Sequence, residues 1–276
     1  MYLNFNGQVR EDRAALLRAD NRGFRYGDGL FETMLVSQGK VRLGEYHLDR
    51  LLAGMELLRL EFPGVFNLGL LESQIAELCA WNSLHGLVRA RLTVFRGGEG
   101  LFNGSERHAD YILQTSSLLA GSGWRDAGLT LGIFPDGRKA CDVYSGIKSN
   151  NYQLSTQAGM FAGEKGWDDC VLLNSCERVA ETTMANIWWV KGDRICTPPL
   201  SEGGVAGVMR RWLLEALPAA GYGVREEPID PEGLAGVDEI FISNAIRGVQ
   251  WVRKLEGAEL GCRLAAAIQE KLIQKI

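Results

Sequence analysis

The sequence predicts a two-domain α+β fold, and three observations carry that expectation. The chain has 276 residues with 46% hydrophobic side chains, enough for two cores of ordinary size. Strand-like and helix-like segments mix without the strict alternation that a parallel βαβ sheet demands. Over residues 120–128 the sequence "AGSGWRDAG" turns small and polar. This places a linker at 121–127, between a small N-terminal domain (1–120) and a larger C-terminal domain (128–276).

The opening "YLNFNGQV" sets Asn6-Gly7 between two short β-prone runs, the pattern of a hairpin. "FETMLVSQGKVRL" reads as a second hairpin, turning over Ser37–Lys40. From Glu45 to Leu60, residues Leu48, Leu51, Leu52, Met55 and Leu58 recur at helical spacing, and "LGLLESQIAELCAW" is another amphipathic helix. "LVRARLTVF" then switches to period two. Val88, Ala90, Leu92 and Val94 share one face; Arg89, Arg91, Thr93 and Phe95 share the other. "YILQTSSLL" is a further strand.

Past the linker, a strand is expected at 129–134, then a loop holding Lys148 and a helix from about Asn151 to Glu164. Strands follow at 170–174, 186–190 and 194–197, with a helix from Gly207 to Leu217. Strands near 223–228, 239–243 and 249–254 and a last helix from Cys262 complete the chain.

Composition narrows the function. With 30 Lys plus Arg against 34 Asp plus Glu, in scattered order, there is no basic stripe for nucleic acid. "MYLNFNGQVREDR" is not an apolar leader, and no run approaches the roughly 18 apolar residues of a membrane span. The six cysteines lack CxxC spacing, which fits free, mostly buried thiols in a reducing cytoplasm. There are three histidines (His47, His85, His108) and no HExxH, His/Cys cluster or GxSxG elbow. Metal-assisted and serine-triad hydrolysis are therefore disfavoured, and no metal is expected.

Several residues could carry chemistry. Lys148 lies in "DVYSGIKSNNYQ", among glycine, serines and asparagines; the bland reading is a solvated loop lysine. Glu181 in "RVAETTMANIWW" ends a strand among small residues that leave room for a flat ligand. In "SEGGVAGVMRRWLLEAL" glycines run into a helix start, where backbone N–H groups and the positive helix end could hold a phosphate. That segment is neither a Walker A loop nor a GxGxxG fingerprint. Arg50 in "YHLDRLL" offers a fork of donors suited to phosphate, although most helix arginines are simply solvated. Arg89 and Arg91 share a strand face and repel unless an anion joins them. A carboxylate-substrate site is the sharper reading, a salt-bridged sheet face the plainer one.

Six segments in order, "RGFRYGDGLFET", "HLDRLL", "GIKSNNY", "VAETTMANIWWV", "CTPPL…GVAGVMRR" and "FISNAIRGVQWV", resemble the class IV pyridoxal-phosphate enzymes over nearly the whole chain. That family includes branched-chain and D-amino-acid aminotransferases and aminodeoxychorismate lyase. The resemblance implies fold type IV, with a small α/β N-terminal domain and a larger pseudo-barrel-like C-terminal domain. It implies pyridoxal 5'-phosphate as cofactor, joined as a Schiff base to Lys148, which also shuttles a proton. Glu181 resembles the carboxylate paired with the pyridine nitrogen, and Arg50 the phosphate arginine. Gly207, Val208 and Met209 resemble the phosphate-binding helix start, Ser243 and Asn244 a second phosphate turn, and Tyr152 the tyrosine beside the phenolic oxygen. It further implies a homodimer with a site between the domains, closed partly by the partner. Tyr26, Phe31 and the loop from Arg96 to Gly100 would line the substrate side.

Within the family, Phe31 stands where D-amino-acid aminotransferases of the best-known type have a tyrosine, and "RGGEGLFNG" lacks their arginine and histidine. "SNAIRG" and the short "KSNNY" also depart from branched-chain enzymes and look more like aminodeoxychorismate lyases, as does "GDGLFET". The resemblance thus favours a lyase that yields pyruvate and p-aminobenzoate in the folate pathway. The alternative is an amino-acid transaminase, for branched-chain L- or non-standard D-amino acids, with 2-oxoglutarate or pyruvate as acceptor; Arg91 has a counterpart in branched-chain enzymes. A catalytically silent dimeric binding protein is a third reading, against which Lys148, Glu181 and Arg50 stand together.

Overall fold

A computed structural model describes residues 1–98, 100–102, 105–118 and 123–276. The start of the expected 121–127 linker and Glu99 of the Arg96–Gly100 loop lie outside the described residues. The chain divides into two compact units. One gathers the described residues up to 118 with Ile147–Asn151; the other gathers those from 123 to Gly146 with Tyr152–Ile276.

The first unit opens with a hairpin of β1 (Tyr2–Phe5) and β2 (Gln8–Glu11). Asn6 and Gly7 between them both adopt positive φ, as a two-residue turn requires. A short helix α1 (Arg22–Tyr26), without signal in the apolar periodicity, is capped by Asn21, whose side chain accepts the Phe24 N–H. Then come β3 (Gly29–Ser37), β4 (Lys40–Val41), α2 (Gly44–Leu57), α3 (Leu68–Trp81), β5 (Val88–Arg96) and β6 (Ala109–Ser117). The sheet order is β2-β1-β6-β5-β3-β4, antiparallel throughout. Period two in β5 sorts its faces. Val88, Ala90, Leu92 and Val94 are buried in one core with Leu30, Met34, Leu51, Leu71, Ile75 and Leu78. The opposite face carries Arg89, Arg91 and Thr93 beside Leu35, Thr33 and Phe31.

Residues Ile147–Asn151, expected within the C-terminal domain, cluster with this first unit. Ile147 packs against its core, and the backbone beyond adds itself to β3. Phe31 N–H donates to Lys148 O at 2.9 Å and Asn150 N–H to Gly29 O at 2.9 Å, around a bridge between Leu30 and Ser149.

The second unit holds β7 (Leu129–Lys139), α4 (Gln153–Glu164), β8 (Asp169–Asn174), β9 (Val179–Thr182), β10 (Asn186–Lys191) and β11 (Arg194–Thr197). It continues with α5 (Val208–Ala219), β12 (Gly223–Glu226), α6 (Pro231–Leu234), β13 (Glu239–Asn244), β14 (Gly248–Leu255), β15 (Ala258–Glu259) and α7 (Arg263–Lys271). The sheet runs β12-β11-β10-β13-β14-β7-β8-β9, with β15 on β14. It is parallel at β11–β12, β14–β7 and β7–β8 and antiparallel elsewhere. The strands β8 and β13 and most of β10 are buried on both faces, so they read as continuous apolar runs. Trp188 and Phe241 stack at 5.6 Å. The first turn of α7 rests on the Glu239 carboxylate, which accepts the N–H groups of Leu264 and Ala265 and complements the positive helix end.

Two expectations need correction. β7 extends to Lys139 rather than stopping at 134, because a register shift between Ile133 and Arg138 lets it continue along β8. The thiols are not mostly buried: Cys170 and Cys196 are, but Cys141 and Cys176 are exposed and all six are free. Among the described residues no helix is long and apolar enough to cross a membrane.

Candidate active site

The first unit presents Lys148 on a fixed backbone. Its carbonyl and the neighbouring Asn150 N–H are tied to β3, so freedom remains only in the side chain. The approach is close enough to need glycine. A Cβ at Gly29 would meet the Asn150 side-chain nitrogen at 2.6 Å and the Val94 carbonyl oxygen at 2.3 Å. The Lys148 ammonium sits 4.4 Å from the centre of the Phe31 ring, and the Arg91 guanidinium 3.9 Å from the same ring. Phe31 is thus a buried aromatic platform for two cations. Arg89, one pleat along, is exposed.

On the other face of β3 lies a buried ionic triad. Glu32 forks the Nε/Nη2 edge of Arg50 and accepts from His47 Nδ1 at 2.6 Å. Burial alone would push the Glu32 carboxyl up, but Arg50 and His47 outweigh it and hold it at about 2. Burial drives His47 down, and the opposing pull of Glu32 only partly offsets it, so the imidazole is neutral. A carboxylate only accepts, so the His47 proton is on Nδ1 and Nε2 is a bare acceptor. That Nε2 is buried without a hydrogen-bond partner among the described residues. Arg50, expected to bind a phosphate through its fork of donors, places Nε and Nη2 on Glu32.

The second unit presents Glu181 on β9. It is 5% exposed; Oε2 accepts the Val205 N–H at 2.9 Å and Oε1 pairs with Lys139. The turn beyond β9 is pinned by Asp169, whose carboxylate accepts from both the N–H and the hydroxyl of Thr183. Val205 opens the stretch that leads into α5. Its carbonyl accepts from Asn186 Nδ2 at 2.8 Å, and a Cβ at Gly207 would lie 1.9 Å from Asn186 Oδ1. Gly207 therefore lets the chain turn directly over Asn186. It caps α5 with no side-chain acceptor, so the first-turn N–H groups at Val208 and Met209 point out of the helix end. Nearby in the fold, Ser243 Oγ accepts the indole N–H of Trp188 at 2.9 Å. Asn244 Oδ1 accepts the N–H groups of Ile246 and Arg247 and shapes that turn. Tyr152 stands half-buried at the start of α4.

The remaining expectations divide. Tyr26 is exposed, with its ring edge-on to Phe102. Arg96 does not face solvent or a ligand: it is buried, with Nε and Nη2 on Asp28, Nη2 also on Leu58 O, and Nη1 on Glu106 O and Arg59 O. Every nitrogen is engaged, which makes Arg96 an internal clamp and leaves nothing to grip a substrate. Sequence reasoning missed Glu32, His47, Lys139 and Asn186. Among the described residues no cluster of three His, Cys, Asp or Glu could hold a metal.

The chain as a whole is similar to known proteins. The family model "Amino-transferase class IV" matches residues 29–255. An aminodeoxychorismate lyase from Vibrio harveyi is 30% identical over 242 residues, 87% of each chain. A putative branched-chain-amino-acid aminotransferase from Methanocaldococcus jannaschii is 26% identical over 100% of this chain and 95% of its own. The crystal structure of a branched-chain aminotransferase from Thermoproteus uzoniensis superposes with a TM-score of 0.88 at 20% identity, covering 98% of this chain and 92% of that one. A match that spans most of the sequence, on a fold shared end to end with such an enzyme, means that the chain belongs to the class IV aminotransferases, enzymes that depend on pyridoxal 5'-phosphate.

Proposed function

We propose that this enzyme is an aminodeoxychorismate lyase, releasing pyruvate and p-aminobenzoate, and that it works as a homodimer. The observation that carries this reading is the Phe31 platform, with Lys148 and Arg91 both over its ring. A cyclic, carboxylated substrate suits an apolar ring beside a reactive amine and a guanidinium. The 30% identity to the Vibrio harveyi lyase supports the same reading.

The donor set fits the cofactor. Glu181 is a buried carboxylate, the Gly207 cradle leaves no room for a Cβ, and α5 begins without a side-chain cap. Such a helix start receives an anion well. When bound, pyridoxal phosphate supplies an electron sink for the charge that develops beside the substrate's amino group. Lys148 would hold the cofactor covalently through Nζ and, once the substrate's amino group has displaced it from that bond, the freed amine would take and return a proton. Glu181 holds a proton on the ring nitrogen. The Val208 and Met209 N–H groups and the Ser243–Asn244 turn would hold the phosphate, with Arg50 as the phosphate arginine, and Tyr152 would orient the phenolic oxygen. Arg91, with Arg89 further out, receives the substrate carboxylate, while Phe31 and Tyr26 flank its ring.

The second reading, an amino-acid transaminase, draws on the full-length similarity to the Methanocaldococcus jannaschii protein and on Arg91 as a ligand for an amino-acid carboxylate. Holoenzyme incubated with aminodeoxychorismate and no keto acid should yield pyruvate and p-aminobenzoate. No product there, together with turnover of an amino acid against 2-oxoglutarate, would overturn the lyase.

A further inference from the structure

Lys139 is the last residue of β7 and was not marked by any sequence pattern. Its ammonium pairs with Glu181 Oε1, while Val205 N–H occupies Oε2 at 2.9 Å. Both side chains are largely out of water, 15% exposed for Lys139 and 6% for Glu181. A buried carboxylate without a partner is costly and tends to take up a proton. Lys139 thus gives the buried carboxylate a charge partner and fixes its aim before any ligand arrives. The same pairing has a consequence once a second cation approaches. One carboxylate shared between two positive groups holds each less strongly than it would hold one alone, and the two cations repel.

We infer that Lys139 is a positioning residue of the reaction: by sharing Glu181 with the cofactor's ring nitrogen, it limits how firmly that nitrogen holds its proton. This rests on the reading of Glu181 as the partner of the ring nitrogen. Lys139 itself touches only the carboxylate and acts through it. With the ammonium removed, the full charge of Glu181 falls on the ring nitrogen, and its proton affinity rises about tenfold, or roughly one pKa unit. An arginine at the same place keeps the positive charge and should keep the ring near its native proton affinity.

The test is nitrogen NMR of holoenzyme loaded with ring-15N pyridoxal phosphate, recorded across pH for the native enzyme, Lys139→Met, Lys139→Gln, Lys139→Arg and Glu181→Gln. The glutamine variant accompanies the methionine variant so that a folding defect of one leaves the charge test intact. The expected result is a ring-nitrogen titration moved to higher pH in Lys139→Met and Lys139→Gln, a native-like one in Lys139→Arg, and one moved to lower pH in Glu181→Gln. If Glu181→Gln moves the titration but neither neutral Lys139 variant does, the role of Lys139 is wrong while that of Glu181 stands. If Glu181→Gln leaves it in place, the reading of Glu181 fails and takes the inference with it.

Discussion

Glu32 illustrates how one residue can be visible in a sequence and still be missed. In β3 it falls in step with Leu30 and Met34, both buried on the helix-covered face, so a carboxylate there had to find a cation inside. His47 and Arg50, three residues apart in α2, lie on one helical face and meet it. That inward acid was the available signal, whereas Lys139 had none, since a strand-ending lysine is ordinarily solvated. Lys148 and Glu181 were picked out because their small, uncharged neighbours are unusual around a charge. Removing Glu32 strands Arg50 in a buried setting. Glu32→Gln should cost about 3–5 kcal/mol of stability, measured as a lowered urea midpoint. The triad also sets an acid limit. The folded state holds Glu32 at about 2 against an ordinary 4.5, and holds His47 below its ordinary 6.5. In both cases the unfolded chain binds the proton first, so stability falls as pH drops. The loss begins below pH 6.5 through His47 and deepens between 4.5 and about 2 through Glu32. Asp169, raised by burial, works the other way within the carboxylate range. Urea midpoints at pH 7, 5.5 and 4 should fall in that order, and a flat series would refute the neutral, buried His47.

Among the elements, those with clean periodicity were legible. The alternation in β5 announces which face is core and which carries Arg89 and Arg91, because a half-buried antiparallel strand must alternate. The strand under Glu181 was read only as one that ends there, without bounds, because the four wholly buried residues of β9 have no alternation to read, and the small helices α1 and α6 are too short for a helical period. The start of α5 was legible as a glycine-rich entry but not as a cradle, since the closeness of Gly207 to Asn186 is a tertiary fact. Gly207 has ordinary extended backbone angles, so a substitution there acts by volume and not by strain. Gly207→Ala must push Asn186 off the Val205 carbonyl and disturb the stretch that also feeds an N–H to Glu181. Losing that buried hydrogen bond is worth about 1–3 kcal/mol. Cofactor affinity should drop about tenfold or more, as read by equilibrium dialysis of pyridoxal phosphate; unchanged affinity would remove α5 from the phosphate site.

For the whole molecule, the α+β class and two cores follow from composition and mixed element order, but the path of the chain does not. The Lys148 segment leaves the second half of the sequence to join β3 of the first unit, because Ile147 finds its apolar partners there and the backbone finds an open strand edge. No local pattern encodes a strand-edge pairing that joins residues more than a hundred positions apart. Lys148 belongs to the first unit and Glu181 to the second. The central claim is that Lys148 is the amine that bears the cofactor. Purified holoenzyme reduced with borohydride and digested should give one peptide spanning Lys148 with the phosphopyridoxyl mass added, and Lys148→Ala should give none. A label on any other lysine, or a protein that takes up no pyridoxal phosphate, would contradict the account.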